Sequence, residues 1–265
     1  MDIGISSSCF YPLETEKAVA ECGELGFKDI EIFVNSHCEL TGGLAAEIRG
    51  AVESYGLNVV SIHPYTSFSE SFVLFGNYPR RAADGLDYYK RFFDFSSSLG
   101  ASYFVLHGAG LRRTADGEEY FERYARLDES AKRFGIRVAH ENVVGHRGQS
   151  PQFLCALKRY LNDDLAVTLD IKQAVRAGED PFRFIDSLEG SIVNVHISDH
   201  NGEADCLPPL EGSFDFARLF SRMSEAGYKG KYLIELYSDG YTDKKQLKDS
   251  AERLERIKER MALRQ

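Results

Sequence analysis

The chain has 265 residues, 43% of them hydrophobic and 28% charged, a balance that describes a folded globular protein and excludes fibrous, low-complexity and disordered classes. A formal net charge of -9 argues against a nucleic-acid partner, because affinity for a phosphate backbone is built largely from Lys and Arg contacts. Cys9, Cys22, Cys38, Cys155 and Cys206 are widely spaced with no C-x-x-C pair, and no run approaches the roughly 18 apolar residues of a spanning helix; a disulfide framework, a zinc knuckle and a membrane protein are therefore not expected, and a reducing cytoplasm is.

Short β-rich runs alternate with longer amphipathic ones, and no Pro/Gly/Ser linker divides the chain, so residues 1–265 are expected to form one domain. In chain order the pattern predicts strand 2–6 and helix 14–26, strand 29–34 and helix 43–56, strand 57–63 and helix 80–100, strand 102–107 and helix 118–135. It continues with strand 136–141 and helix 150–161, strand 165–170 and helix 181–190, strand 191–198 and helix 214–230, strand 231–236 and helix 243–261. Gly26, Gly56, Gly100, Gly135 and Gly227 stand where left-handed C-terminal caps belong. Eight strand-helix units at this length predict an α/β fold of the (β/α)8 TIM-barrel type. The competing doubly wound sheet lacks its glycine fingerprint, since the turn after the first strand reads GISSSCF. The aromatic segment Pro64 to Pro79 is longer than an ordinary βα connection; it is expected to be a lid, a locally packed rim or an interface in a homo-oligomer.

One ionisable residue recurs at the end of strand after strand: His63, His107, Glu141, Asp170, then His196 within the seventh strand and Glu235 near the end of the eighth. In a barrel these positions face one shared mouth. Clustered carboxylates repel one another and are costly to desolvate, and a divalent cation held by Asp/Glu oxygens and imidazole nitrogen supplies the missing charge. Each residue alone has a plainer reading. A single strand-end His is usually structural, Asp170 could cap the following helix, and Glu235 could be a buried ion-pair partner. The inference rests on the set.

The chain also resembles the xylose isomerase-like TIM barrels, specifically the sugar phosphate isomerase/epimerase group that includes ketose 3-epimerases and inosose dehydratases. The resemblance runs from DIGISS and GFKDIEIF through LGASYFVLHGAG, GIRVAHEN, VHISD and LPPLEGSFDF to YLIEL. It implies one divalent ion (Mn, Co, Mg or Zn) on Glu141, Asp170, His196 and Glu235, with Glu141 and Glu235 exchanging protons with substrate carbon through an enediolate. It further implies a small sugar, cyclitol or sugar phosphate as substrate, with His63, His107 and Glu211 on its hydroxyls. In HGAGLRR, Arg112 and Arg113 follow a Gly-rich turn and are candidates for phosphate binding.

Two departures stand out. The family often has a His three residues after the strand-six Asp, where this chain has Gln173, and its usual G-E-G opens here with Leu210. An alternative is a zinc-dependent apurinic endonuclease of the endonuclease IV type, because His63, His107 and Glu141 match residues that bind one of its ions. Against it, Gln173 replaces a third-zinc ligand and Cys206 stands near a missing His. A barrel that binds sugar without catalysis is the remaining reading.

Overall fold

Eight short segments have nearly every side chain buried, as parallel strands covered by helices require: Ile3–Ser6 (β1), Asp29–Val34 (β2), Asn58–Pro64 (β3), Tyr103–Leu106 (β4), Arg137–Glu141 (β5), Ala166–Asp170 (β6), Ile192–Ile197 (β7) and Lys231–Ile234 (β8). In the computed structural model, which describes residues 3–111 and 117–262, they pair in sequence order and β8 returns to β1, closing a parallel barrel. The helices are Thr15–Glu24 (α1), Gly42–Tyr55 (α2), Glu70–Val73 (α3), Pro79–Ser98 (α4), Gly117–Lys132 (α5), Pro151–Tyr160 (α6), Ile171–Arg176 (α7), Pro181–Ser187 (α8), Phe216–Glu225 (α9) and Lys245–Ala262 (α10). All five expected cap glycines take positive φ. Among the described residues no helix is long and apolar enough to cross a membrane.

The core lies between the outward faces of the strands and the inner faces of the helices. Tyr89, Phe92 and Phe93 of α4 are fully buried against Phe104 of β4, with the Phe93 and Phe104 rings edge to face at 5.3 Å. Burial of each such ring contributes about 1.5–3 kcal/mol. The barrel interior is different, being lined largely by small and polar side chains. Gly4 of β1 is required there: a Cβ would stand 2.5 Å from Leu233 Cδ2 and 2.3 Å from Asp29 O.

Two helices were not expected from the pattern. Both α3 and α7 are one turn or a little more, too short to show a 3.6-residue period. The first lies in the aromatic segment 64–79, which is a packed rim. Glu70 Oε2 accepts from Gly108 N at 2.6 Å, Ser71 Oγ accepts from Gly110 N at 2.7 Å, and Arg123 donates to Leu74 O at 3.1 Å. Phe68 and Phe72 of the same segment remain exposed. The second, α7, starts directly at the end of β6 and carries a residue of the site.

Candidate metal centre and active site

Register decides which side chains meet. Glu141 pairs with Thr168, Asp170 with His196 and His196 with Leu233, so Glu235, two residues beyond Leu233, returns to the same inward face. One ligand atom from each of Glu141, Asp170, His196 and Glu235 lies within 4.8 Å of the others. The backbone at Asp170 is held by Asn142, whose Nδ2 donates to Asp170 O at 2.9 Å and whose Oδ1 accepts from Asp170 N at 2.6 Å. Asp170 has two duties: Oδ1 accepts from Gln173 N at 2.9 Å as the N-cap of α7, while Oδ2 faces the cluster.

Beneath the cluster sits Glu31 of β2, a residue that reading by strand ends passes over. It is wholly buried, accepting from Ser61 Oγ at 2.7 Å and from Ser6 Oγ at 3.1 Å. His196 Nε2 lies 3.0 Å from Glu31 Oε2, which turns Nδ1 toward the cluster, 3.3 Å from Glu141 Oε1 and 3.4 Å from Glu235 Oε2. A carboxylate behind an imidazole in this way fixes which nitrogen is presented as a ligand. A Glu among the alternating Ile residues of DIEIFV, at a position that should be core, was the available signal.

Lys172, the second residue of α7, is the other addition. Only 3% exposed, it places Nζ 3.0 Å from Glu235 Oε2 and 3.4 Å from Asp170 Oδ2. The plain readings of Asp170 as a helix cap and Glu235 as a buried ion-pair partner therefore both hold, alongside their place in the cluster.

These neighbours set the protonation states. Burial opposes ionisation of Glu141, but His107, His196 and His63 around it outweigh that and hold its carboxyl well below the usual range. Burial likewise opposes ionisation of Glu235, and Lys172 and His196 outweigh it. Asp170 goes the other way, pushed up to about 7 by burial, which the Lys172 charge only partly offsets. Burial would lower the His196 pKa, yet Glu31 and Glu235 raise it well above the ordinary imidazole value.

The donor set fits a divalent ion. Glu141 Oε2 and Asp170 Oδ2 are buried without a well-formed hydrogen bond, although His107 Nε2 lies 2.9 Å from the former and Lys172 Nζ 3.4 Å from the latter. Three carboxyl groups and one imidazole, with two oxygens left unsatisfied, form a mixed O/N site suited to Mn, Co, Mg or Zn. His63 and His107 form a second group with Glu141, their Nε2 atoms 2.9 Å apart, and His63 stacks on Phe33 with centroids 4.8 Å apart.

A cavity of about 570 Å³ opens above the cluster, lined by Glu141, Glu235, His63, His107, Lys172 and Tyr237 among others. Glu211 is not among the lining residues; it is exposed and accepts from Gln246 Nε2 at 3.1 Å. Its position follows from the turn that carries it. Asp199 accepts from the backbone N–H groups of His200, Leu210, Gly212 and Phe214, and a Cβ at Gly212 would stand 2.4 Å from Asp199 Oδ1. Leu210 takes φ +73 there, a left-handed conformation that costs a branched side chain strain. Gln173 lines the cavity and its Oε1 accepts from Val144 N at 3.2 Å. Arg112 and Arg113 lie outside the described residues.

A profile of the xylose isomerase-like TIM barrel family matches residues 19–257. The chain belongs to that family. No curated protein matches the sequence significantly. Among solved structures, an L-ribulose 3-epimerase superposes with a TM-score of 0.81 at 20% identity, covering 99% of this chain and 96% of its own. A 3-keto-D-glucoside 4-epimerase from E. coli gives 0.77 at 17% identity, with 97% and 99% covered. A D-allulose 3-epimerase from Methylomonas sp., solved in complex with D-allulose, gives 0.76 at 18% identity, with 97% and 96% covered. At such identities the family barrel is what the chain shares with these structures.

Proposed function

We propose that this chain is a divalent-metal-dependent isomerase or epimerase of a small uncharged ketose or cyclitol, working by proton transfer at carbon beside a carbonyl. The observation that carries the reading is the meeting of Glu141, Asp170, His196 and Glu235 ligand atoms within 4.8 Å beneath the cavity. The cavity volume lies within the roughly 300–1,000 Å³ common for small-molecule sites. These four residues would hold one Mn, Co, Mg or Zn ion, which when bound polarises the substrate carbonyl and stabilises enediolate charge.

Glu141 and Glu235 both line the cavity, and their neighbours keep both ionised and ready to accept a proton. One carboxylate removes a proton from carbon and so becomes a carboxylic acid. The proton goes back to carbon either from that acid, for isomerisation, or from the opposite carboxyl once it has taken a proton from water or a substrate hydroxyl, for epimerisation. His63 and His107, paired at Nε2, offer hydrogen-bonding groups for substrate hydroxyls. Among the described lining residues Lys172 is the sole Lys or Arg, and two carboxyl groups already engage it. Against the described lining, an uncharged substrate is matched better than a phosphate ester. The sugars after which the similar epimerase structures are named, L-ribulose, a 3-keto-D-glucoside and D-allulose, belong to the same chemical class.

The nuclease reading is weaker. Gln173, at the position of a third-zinc ligand, spends its Oε1 on Val144 N, and the described lining offers no row of basic side chains for a phosphate backbone. The deciding experiment incubates the metal-loaded protein with a panel of ketoses and ketocyclitols in deuterated water. Deuterium is expected at a carbon next to the carbonyl of at least one member. Binding without exchange across the panel would leave a sugar-binding barrel, and cleavage of abasic DNA would revive the nuclease.

A further inference from the structure

Lys172 is a buried ammonium built into the ligand cluster by the chain itself. Its Nζ touches two of the four ligand residues, Asp170 and Glu235, at 3.4 and 3.0 Å. Its position is dictated from both sides: Asp170 caps α7 through Gln173 N, and Lys172 sits between those two residues on the first turn. The Tyr237 ring, its centroid 5.0 Å from Nζ, closes the other side with a face that favours a cation. Asp170 and Glu235 share the ligand cluster with Glu141, and Glu31 lies behind it against His196. These carboxyls, all buried except the largely buried Glu235, repel one another in a poorly solvated place, and that repulsion must be offset by positive charge.

We propose that Lys172 is the resident counter-ion of the ligand cluster, holding Asp170 and Glu235 in place before a divalent ion arrives and competing with that ion once it is there. The inference rests on the metal-dependent reading above. Two like charges cannot share one pair of carboxylates without cost, so metal loading drives Nζ away from Asp170 Oδ2, and affinity for the metal is lower than the same ligands would otherwise give. The device lets the site lose its metal without flying apart, and raises the free metal concentration needed to load it.

The test uses the full chain, stripped with chelator, and Mn²⁺ as the probe. Calorimetric titration compares wild type with Lys172→Met, which removes the charge and keeps much of the stem, and Lys172→Arg, which keeps the charge. The expected result is Mn²⁺ affinity at least tenfold tighter in Lys172→Met and within threefold of wild type in Lys172→Arg. The melting temperature of metal-free Lys172→Met should fall below wild type and recover on adding Mn²⁺. Unchanged or weaker Mn²⁺ binding by a folded Lys172→Met overturns the proposal while leaving the metal enzyme intact. No Mn²⁺ binding by any of the three overturns both. Should Lys172→Met fail to fold, crystals of wild type with and without Mn²⁺ decide: Nζ more than 4 Å from Asp170 Oδ2 only in the loaded crystal supports competition, and Nζ unmoved on loading overturns it.

Discussion

The two halves of the barrel mouth are built from different chemistry. Strands β5 to β8 and the helix after β6 contribute Glu141, Asp170, Lys172, His196 and Glu235, nearly all buried and linked by contacts of 3.0 to 3.4 Å. The lining from β1 to β4 and the turns after them includes Tyr11, Phe33, His63, Ser67 and His107, rings and a hydroxyl with no carboxylate. One half concentrates charge, as the proposed metal and proton-transfer pair require; the other offers flat and hydrogen-bonding surfaces that fit the proposed sugar. Glu31 is the exception that joins them, reaching from β2 to His196 across the interior. Charge can be concentrated in so small a volume only because each carboxyl has a neighbour of opposite sign or a hydrogen-bond donor.

Substitutions in the charged half should have the largest effects. Glu141→Gln is expected to lower turnover on the order of 10²–10⁴-fold, the usual span for a lost acid or base. Steady-state kinetics with whichever ketose exchanges deuterium checks this, and a loss under tenfold would remove Glu141 from the proton-transfer role. His107→Gln, on the half without carboxylates, should instead act mainly on KM.

A second contrast sharpens the first, because two equally buried imidazoles titrate in opposite directions. His196 is raised by Glu31 and Glu235, whereas His140, between Tyr120 OH at 2.7 Å and Glu141 O at 3.0 Å, is lowered by burial to about 4. A folded-state pKa below the unfolded value means that the unfolded chain takes up a proton the fold refuses. Stability from His140 is therefore complete above pH 6.5 and is lost as pH falls toward 4, by about 3 kcal/mol. Denaturant melts of wild type and His140→Gln over this window should show a shallower decline in the variant. Equal slopes would refute the assignment.

Smaller effects follow farther from the cluster. Glu31→Gln keeps the shape but weakens the hold on the His196 ring, and divalent-ion affinity measured by titration should fall roughly 10–100-fold, as losses of such supporting carboxylates do. Leu210→Gly relieves a left-handed backbone at a branched residue and should stabilise by up to about 1 kcal/mol in a thermal melt, the gain being trimmed by the freer unfolded chain. A lower melting temperature would mean that Leu210 packing outweighs its strain.

Much of the barrel was legible because its signals are local. Alternation of buried strands with one-sided helices repeats eight times, and each strand prediction overlaps an observed strand, with His107 and Glu235 falling one residue past the pairing. The residues at those strand ends could be picked out as a set by the same period. Contacts between distant positions were beyond its reach: Glu31 and His196 are 165 residues apart, Lys172 rides on a helix too short to show a period, and Glu211 turns away with a loop organised by Asp199. Sequence by itself determined the eightfold strand-helix order and the strand-end ionisable groups, since hydrophobic period is written residue by residue. Only the closed barrel decided which charges neutralise one another, because Coulomb energy and desolvation depend on distance and burial, which exist only once β8 meets β1.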